Sequence, residues 1–256
     1  MKIKFSFHCN KCFEVTDQSE QAYKKMPNYE FQFEVNDENL YEGICEHGHP
    51  MFFSVQEEKF EILFDFAAIA LLDGYTKEAV STLASSFERF VEFFIKVTCA
   101  HNSIGEEEFL KTWNKMKNQS ERQLGAFYIL QLIEFGSTKY LLDENMVKFR
   151  NKVIHQGYIP STEDTIKYGN YVLSTIFKIL KELKIKHSAS IFKAIIWDVK
   201  EKKKNTKDNQ FITLSKPTII NLSAYEDLNF GVVTFEEALN NLRNSGWHEH
   251  IYIKGS

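Results

Sequence analysis

The spacing of apolar side chains changes near residue 57, and the change limits what the stretches on either side can fold into. Before it, apolar residues alternate: Ile3, Phe5 and Phe7 are separated by Lys4 and Ser6, and Tyr29, Phe31, Phe33 and Val35 by Glu30, Gln32 and Glu34. A period of two sends successive side chains to opposite faces, which suits a half-buried strand. Met51 to Val55 is a third run of strand length. After residue 57 the recurrence is three and four. Phe60, Leu63, Phe64, Ala67, Ala70 and Leu71 form one helical stripe, and Ala79, Leu83, Phe87, Phe90, Phe94 and Val97 form another. Only 4 prolines fall in 256 residues, so little in the sequence breaks long helices.

Local stop and start signals set the expected boundaries. Asp73-Gly74 closes the first helix, with Gly74 as its left-handed terminator. Thr76 is expected to cap the second, which reaches about Ala100. A short amphipathic helix is predicted from Phe109 to Met116, and another from Glu121 to Phe135, closed by Gly136. Asp143 caps a helix that carries Met146, Val147 and Ile154 and stops at Gly157. Ser161 caps a last long one, with Ile166, Val172, Leu173, Ile176, Phe177, Leu180 and Leu183 as its buried stripe. Five to six helices with short connections predict a bundle over 57–187. Beyond Ser188 the pattern weakens. Ile191 to Val199 is apolar and β-branched, Lys200 to Asn209 is a charged loop, and Phe211–Leu214 and Thr218–Ile220 are of strand length. Thr234 starts a capped helix to about Asn244. The fold class is therefore mainly α: a small β module over 1–56, a helical bundle over 57–187, and a small α+β extension over 188–256.

Charge and composition narrow the function. Net charge is −4, but residues 1–65 hold 6 Lys against 13 Asp and Glu, whereas 178–207 hold 10 Lys against 3. A local basic stretch can meet a polyanion on an acidic protein, because nearby charges dominate under screening. No run approaches the roughly 20 apolar residues of a membrane span. The N-terminal residues lack the apolar core of a signal peptide, so a cytoplasmic protein with no membrane association is expected. No glycine-rich phosphate loop, Ser-His-Asp order or paired-carboxylate metal motif is present.

Cysteine placement adds a metal site. Cys9-x2-Cys12 and Cys45-x3-His49 read as two knuckles between strands. Zn2+ takes four tetrahedral sulfur and nitrogen donors, and two short turns present two each. His49 is favoured as the fourth ligand, at the exit of a turn that Gly48 loosens, with His47 and His8 as rivals. Four protein donors imply a structural ion. His248 and His250 alternate near the C-terminus and are weaker candidates, as is Lys202-Lys203-Lys204 as a phosphate grip.

The segment Phe149-Arg150-Asn151-Lys152-Val153-Ile154-His155-Gln156-Gly157 carries the chemistry. Residues five apart on a helix point about 140° from each other, so Arg150 and His155 converge only if the helix ends between or just after them. Gly157 supplies that end. His155 then falls in the last turn, where carbonyl ends favour a cation.

This Arg-Asn-x3-His string resembles the motif of the HEPN superfamily, in which an Arg followed by a polar residue precedes a His by four to six positions. The helical resemblance covers about 57–187. It implies a metal-independent endoribonuclease, built on a homodimer whose two copies of the motif share one cleft. Cleavage without a metal needs a base on the 2′-hydroxyl, an acid on the leaving oxygen and a cation near the phosphorane, and one His and one Arg cannot easily fill all three roles. The resemblance assigns His155 as general acid or base, Arg150 as phosphate clamp and Asn151 as positioner. Glu88, on an earlier helix, is the candidate orienting acid. The expected product is a 2′,3′-cyclic phosphate, the expected partner RNA, and the expected setting a toxin or anti-phage defence system with an antitoxin or phage-derived trigger. Some such toxins carry a modifiable Tyr soon after the His. Tyr158 stands one residue further away than that pattern, which favours packing. The alternatives are an inactive HEPN dimer serving as an RNA- or nucleotide-binding scaffold, and a zinc-dependent nuclease centred on the cysteine cluster.

Overall fold

A computed structural model describes residues 2–14, 27–204, 206, 211–222, 234–245 and the backbone of 252–253. The described residues are mainly helical, with small β-sheets that use the N-terminal stretch. They group into two units. The described residues beyond 187, expected as an extension of their own, divide between them: those within 198–216 and 242–253 group with the described part of 1–56, and those within 217–241 with 57–197. His248 and His250 lie outside the described residues.

The first unit holds β1 (Lys2–Phe7), a one-turn helix α1 (Asn10–Glu14), β2 (Tyr29–Glu34), β3 (Tyr41–Ile44) and β4 (Pro50–Val55). It also takes β5 (Phe211–Leu214) and β6 (Tyr252–Ile253) from far along the chain. One sheet runs β2-β1-β6 and the other β3-β4-β5. β1 pairs antiparallel with both β2 and β6, and β4 antiparallel with β3 but parallel with β5. The alternation in β1 is realised, with Ile3 and Phe5 buried. Rings fill the core: Phe5 stacks on Phe53 at 5.5 Å, Phe33 on Tyr41 at 5.4 Å, and Phe31 tilts against Phe53 at 5.1 Å. A side chain at Gly43 would meet the Phe31 ring at 2.7 Å, so that close approach needs glycine. Phe211–Leu214 forms the strand expected of it; the short β3, α1 and the parallel pairing of β5 with β4 were not evident from periodicity.

The second unit is built from α2 (Lys59–Leu72), α3 (Thr76–His101), α4 (Glu106–Trp113), α5 (Ser120–Phe135), α6 (Glu144–Gln156) and the greater part of α7 (Thr162–Lys204). α8 (Phe235–Ser245) begins in it. The predicted face of α3 is buried throughout, and its rings meet neighbours edge-on: Phe90 against Phe60 at 5.3 Å, Phe94 against Phe127 at 5.1 Å. Gly74, Gly136 and Gly157 all take left-handed backbone, as expected of terminators. The Asp143 carboxylate accepts the Asn145 and Met146 N–H groups, and Ser161 Oγ accepts that of Asp164. Thr234 and Glu237 exchange two bonds as a capping box. Thr76 does not cap; Tyr75 precedes the helix without a side-chain bond.

Two expectations beyond residue 187 are corrected. Residues 188–204, expected to lie beyond the bundle and to enter a charged loop at Lys200, are helical and continue α7 past a kink at His187 (φ −136°, ψ 31°). Burial of Ile191, Ala194 and Trp197 at spacings of three stabilises this extension over the strand preference of its β-branched residues. Thr218–Ile220 is irregular, not a strand. Buried carboxylates hold it instead: Asp65 accepts the Ile219 N–H at 3.0 Å, and Glu61 accepts those of Leu222 and Glu58, both at 2.7 Å. Gly169 gives way to Phe235, whose ring atoms stand 2.1 Å from where a Cβ would be; Asn170 accepts the Phe235 N–H.

Burial pushes the Asp65 carboxyl up to about 8 against the Ile219 bond that lowers it, and Glu61 rises well above the usual carboxylate range for the same reason. An unfolded Asp titrates near about 3.9, so the folded chain holds an extra proton between that pH and about 8. The associated stability is fully present below the unfolded value and is lost as pH rises through about 8. Asp65→Asn keeps an oxygen for Ile219 and removes the titration. Its melting temperature should therefore fall less between pH 6 and 9 than the wild type's in a calorimetric scan; equal slopes would exonerate Asp65. Gly169→Ala should lose about 1–3 kcal/mol in urea denaturation, because a buried ring cannot yield the space.

Candidate functional site

Two constellations of chemically active side chains stand out, one in each unit. In the first unit the chain leaves β1 at Cys9, and the α1 turn brings Cys12 back beside it, with the Phe13 N–H bonded to the Cys9 carbonyl. The β3–β4 hairpin supplies the other knuckle. Cys45 and His49 close its turn through Cys45 N–H to His49 O at 3.1 Å, and Gly48 takes φ +81° at the bend. The ligand atoms of Cys9, Cys12, Cys45 and His49 lie within 4.8 Å of one another.

The distances match a tetrahedron. Bonds of about 2.3 Å to sulfur and about 2.0 Å to nitrogen give edges of about 3.8 Å between sulfurs and about 3.6 Å from sulfur to nitrogen. Cys12 Sγ stands 3.8 Å from Cys45 Sγ, and His49 Nδ1 stands 3.6, 3.3 and 3.6 Å from the sulfurs of Cys9, Cys12 and Cys45. His49 reaches all three thiols. His47 Nδ1 reaches Cys12 at 3.3 Å and Tyr29 Oη at 3.5 Å, and His8 Nδ1 faces the Pro27 carbonyl. Among the described residues these cysteines form no disulfide. Burial, with the neighbouring sulfurs, pushes the Cys12 thiol up to about 12. A divalent cation reverses that penalty by favouring thiolates. The cluster is compatible with zinc.

In the second unit α3, α5, α6 and α7 wall a cavity of about 430 Å3. Glu88, Arg150, Asn151 and His155, the four residues singled out in the sequence, all line it. α6 is helical through His155 and stops at Gly157 (φ +69°), so the helix ends just after the pair. Asn151 and His155 are four apart and share a face. Arg150 starts on a different bearing and is drawn over by two contacts: Nη1 donates to Asn151 Oδ1 at 3.0 Å, and Nη2 donates to Glu88 Oε1 at 2.7 Å. Arg150, Asn151 and Glu88 are half-buried, whereas His155 is exposed at the mouth. The guanidinium is thus aimed by an acid on α3 and an amide on its own helix, which keeps its planar fork in one orientation.

Tyr168 and Tyr171 of α7 also line the cavity, and the sequence reading did not single them out. Their three-residue spacing on a predicted helix was the available signal. Burial raises the Tyr168 phenol well above its ordinary range although the Arg150 charge opposes it, so Tyr168 remains a hydrogen-bond donor there. Tyr171 Oη accepts the Asp143 N–H at 2.8 Å and so helps set the start of α6. Tyr158 is packed: Lys152 Nζ lies over its ring at 4.0 Å and Phe149 meets it edge-on. Among the described residues, no helix is long and apolar enough to cross a membrane.

No protein-family model, curated protein or solved structure matches this chain.

Loaded with Co(II), the protein should show thiolate-to-metal charge-transfer absorption in the near ultraviolet, and Cys12→Ser should abolish it. A spectrum without that absorption in the wild type would remove the cluster as a metal site.

Proposed function

We propose that the chain is a metal-independent endoribonuclease of the HEPN type, cutting RNA by attack of the ribose 2′-hydroxyl on the adjacent phosphate. The observation that carries this reading is the meeting of Glu88, Arg150, Asn151 and His155 around one cavity, from two helices far apart in sequence. Arg150 binds the phosphate, and the charge that develops on its oxygens in the phosphorane strengthens that contact. Glu88 and Asn151 hold the guanidinium in place. His155, exposed at the mouth, moves the proton: from the 2′-hydroxyl as base, or to the 5′-oxygen as acid. A second copy of the chain supplies the other imidazole, and a twofold axis brings the two motifs to one groove. Side chains flanking the motif support such pairing. Val147 is 36% exposed one turn before Arg150, and Ile159 is 74% exposed four residues after His155.

The cysteine–histidine cluster serves as a structural zinc centre, since four protein donors leave no open position for substrate. Cys9, Cys12, Cys45 and His49 would hold the ion, whose chemistry there is to bind thiolates and tie the two knuckles together. The first unit and the basic stretch 178–204 select the RNA or receive a trigger, in a toxin or anti-phage role in the cytoplasm.

Purified protein incubated with total RNA in EDTA is expected to cleave it and leave 2′,3′-cyclic phosphate ends. His155→Ala and Arg150→Ala should each lower kcat/KM by about 100-fold or more, the usual weight of a positioned acid–base or charge-stabilising group. Equal cleavage by all three proteins, or a strictly monomeric particle by light scattering at the assay concentration, would overturn the proposal.

A further inference from the structure

A second group of ligand-type side chains lies in the helical unit, in none of the roles described so far. His101 stands in the last turn of α3, Glu134 in the last turn of α5, and His187 at the kink of α7. Their ligand atoms lie within 4.8 Å of one another. The two imidazole rings are 3.7 Å apart between centroids, tilted by 38°. His187 Nε2 meets Glu134 Oε2 at 2.7 Å, and Asn102 donates to the other Glu134 oxygen at 3.0 Å.

Three features distinguish this group from an ordinary buried ion pair. His187 is 6% exposed, yet among the described residues only one of its nitrogens is served: Nδ1 is buried and meets no hydrogen-bond partner there. A buried histidine that only packs has its polar atoms satisfied. Next, α3 and α5 both end here, and helix C-termini stabilise positive charge; Lys186 already answers it by donating to the Glu134 carbonyl at 3.2 Å. Finally, the carboxylate is oriented from outside by Asn102, as outer hydrogen bonds orient the ligands of metal sites.

We propose that His101, Glu134 and His187 bind a divalent transition-metal ion of the zinc class. Two imidazoles and a carboxylate suit zinc, cobalt or nickel and disfavour magnesium and calcium. His101 is exposed, so the remaining coordination positions face solvent on its side. The ion ties the ends of α3 and α5 to the one residue of α7 whose backbone leaves the helical region, and it fixes the bend there.

Full-length protein is loaded with Co(II), freed of excess metal, and assayed for cobalt per chain and for its absorption spectrum. Wild type should retain two equivalents. His101→Ala, at an exposed position the fold tolerates, should retain one, with the thiolate charge-transfer band unchanged and the weaker visible bands of nitrogen and oxygen ligation lost. Cys12→Ser should show the reverse. Added zinc should raise the melting temperature of apoprotein in two steps for wild type and in one for His101→Ala. If Cys12→Ser does not fold, the comparison of wild type with His101→Ala decides alone. Equal cobalt content and equal spectra in those two proteins overturn the site.

Discussion

Burial of the Phe87, Phe90 and Phe94 rings fixes the rotation of α3, and with it the direction of every polar side chain on that helix. A helix of 26 residues cannot turn one face inward without committing the others. Ser86 goes inward and donates to the Phe60 carbonyl, which joins α3 to α2. Glu88, next to Phe87, is left half-exposed at the cavity wall, where it receives Arg150. His101, at the far end, meets Glu134 and His187. Both polar constellations of the helical unit thus derive from one packing decision made by aromatic side chains.

The two units solve the problem of a marginal core differently. In the first, the described strands are short and give little apolar area each, and large rings stacked between the sheets make up the deficit. In the second, long helices bury enough to carry polar groups inside. Glu61 and Asp65 are buried, their carboxyls raised by desolvation, and they accept hydrogen bonds from the backbone of an irregular segment. A chain that docks residues 217–222 without a strand needs such acceptors.

Helix boundaries were readable because their causes are local. Glycine at a left-handed position, an aspartate or serine accepting free N–H groups and a stripe at three-four spacing act within a few residues. Thr76 shows the limit of this reasoning, since a suitable residue one position too late caps nothing. Residues 188–204 show the opposite failure: their β-branched content speaks for strand, but burial of Ile191, Ala194 and Trp197 keeps them helical. An aromatic such as Tyr168 at helical spacing looks like core until the fold sets it on the same cavity wall as Arg150.

By itself the sequence determined the mainly helical class, the switch of period near residue 57, the capped helix bearing Arg150, Asn151 and His155, and the knuckle spacings of Cys9, Cys12, Cys45 and His49. All of these follow from interactions between residues close along the chain. Only the tertiary structure decided that β5 and β6 return to complete sheets begun by the first residues, that Glu88 reaches Arg150, and that His101, Glu134 and His187 meet. Those contacts join residues separated by tens to hundreds of positions. Their partners are selected by how faces pack, and no local pattern records that choice.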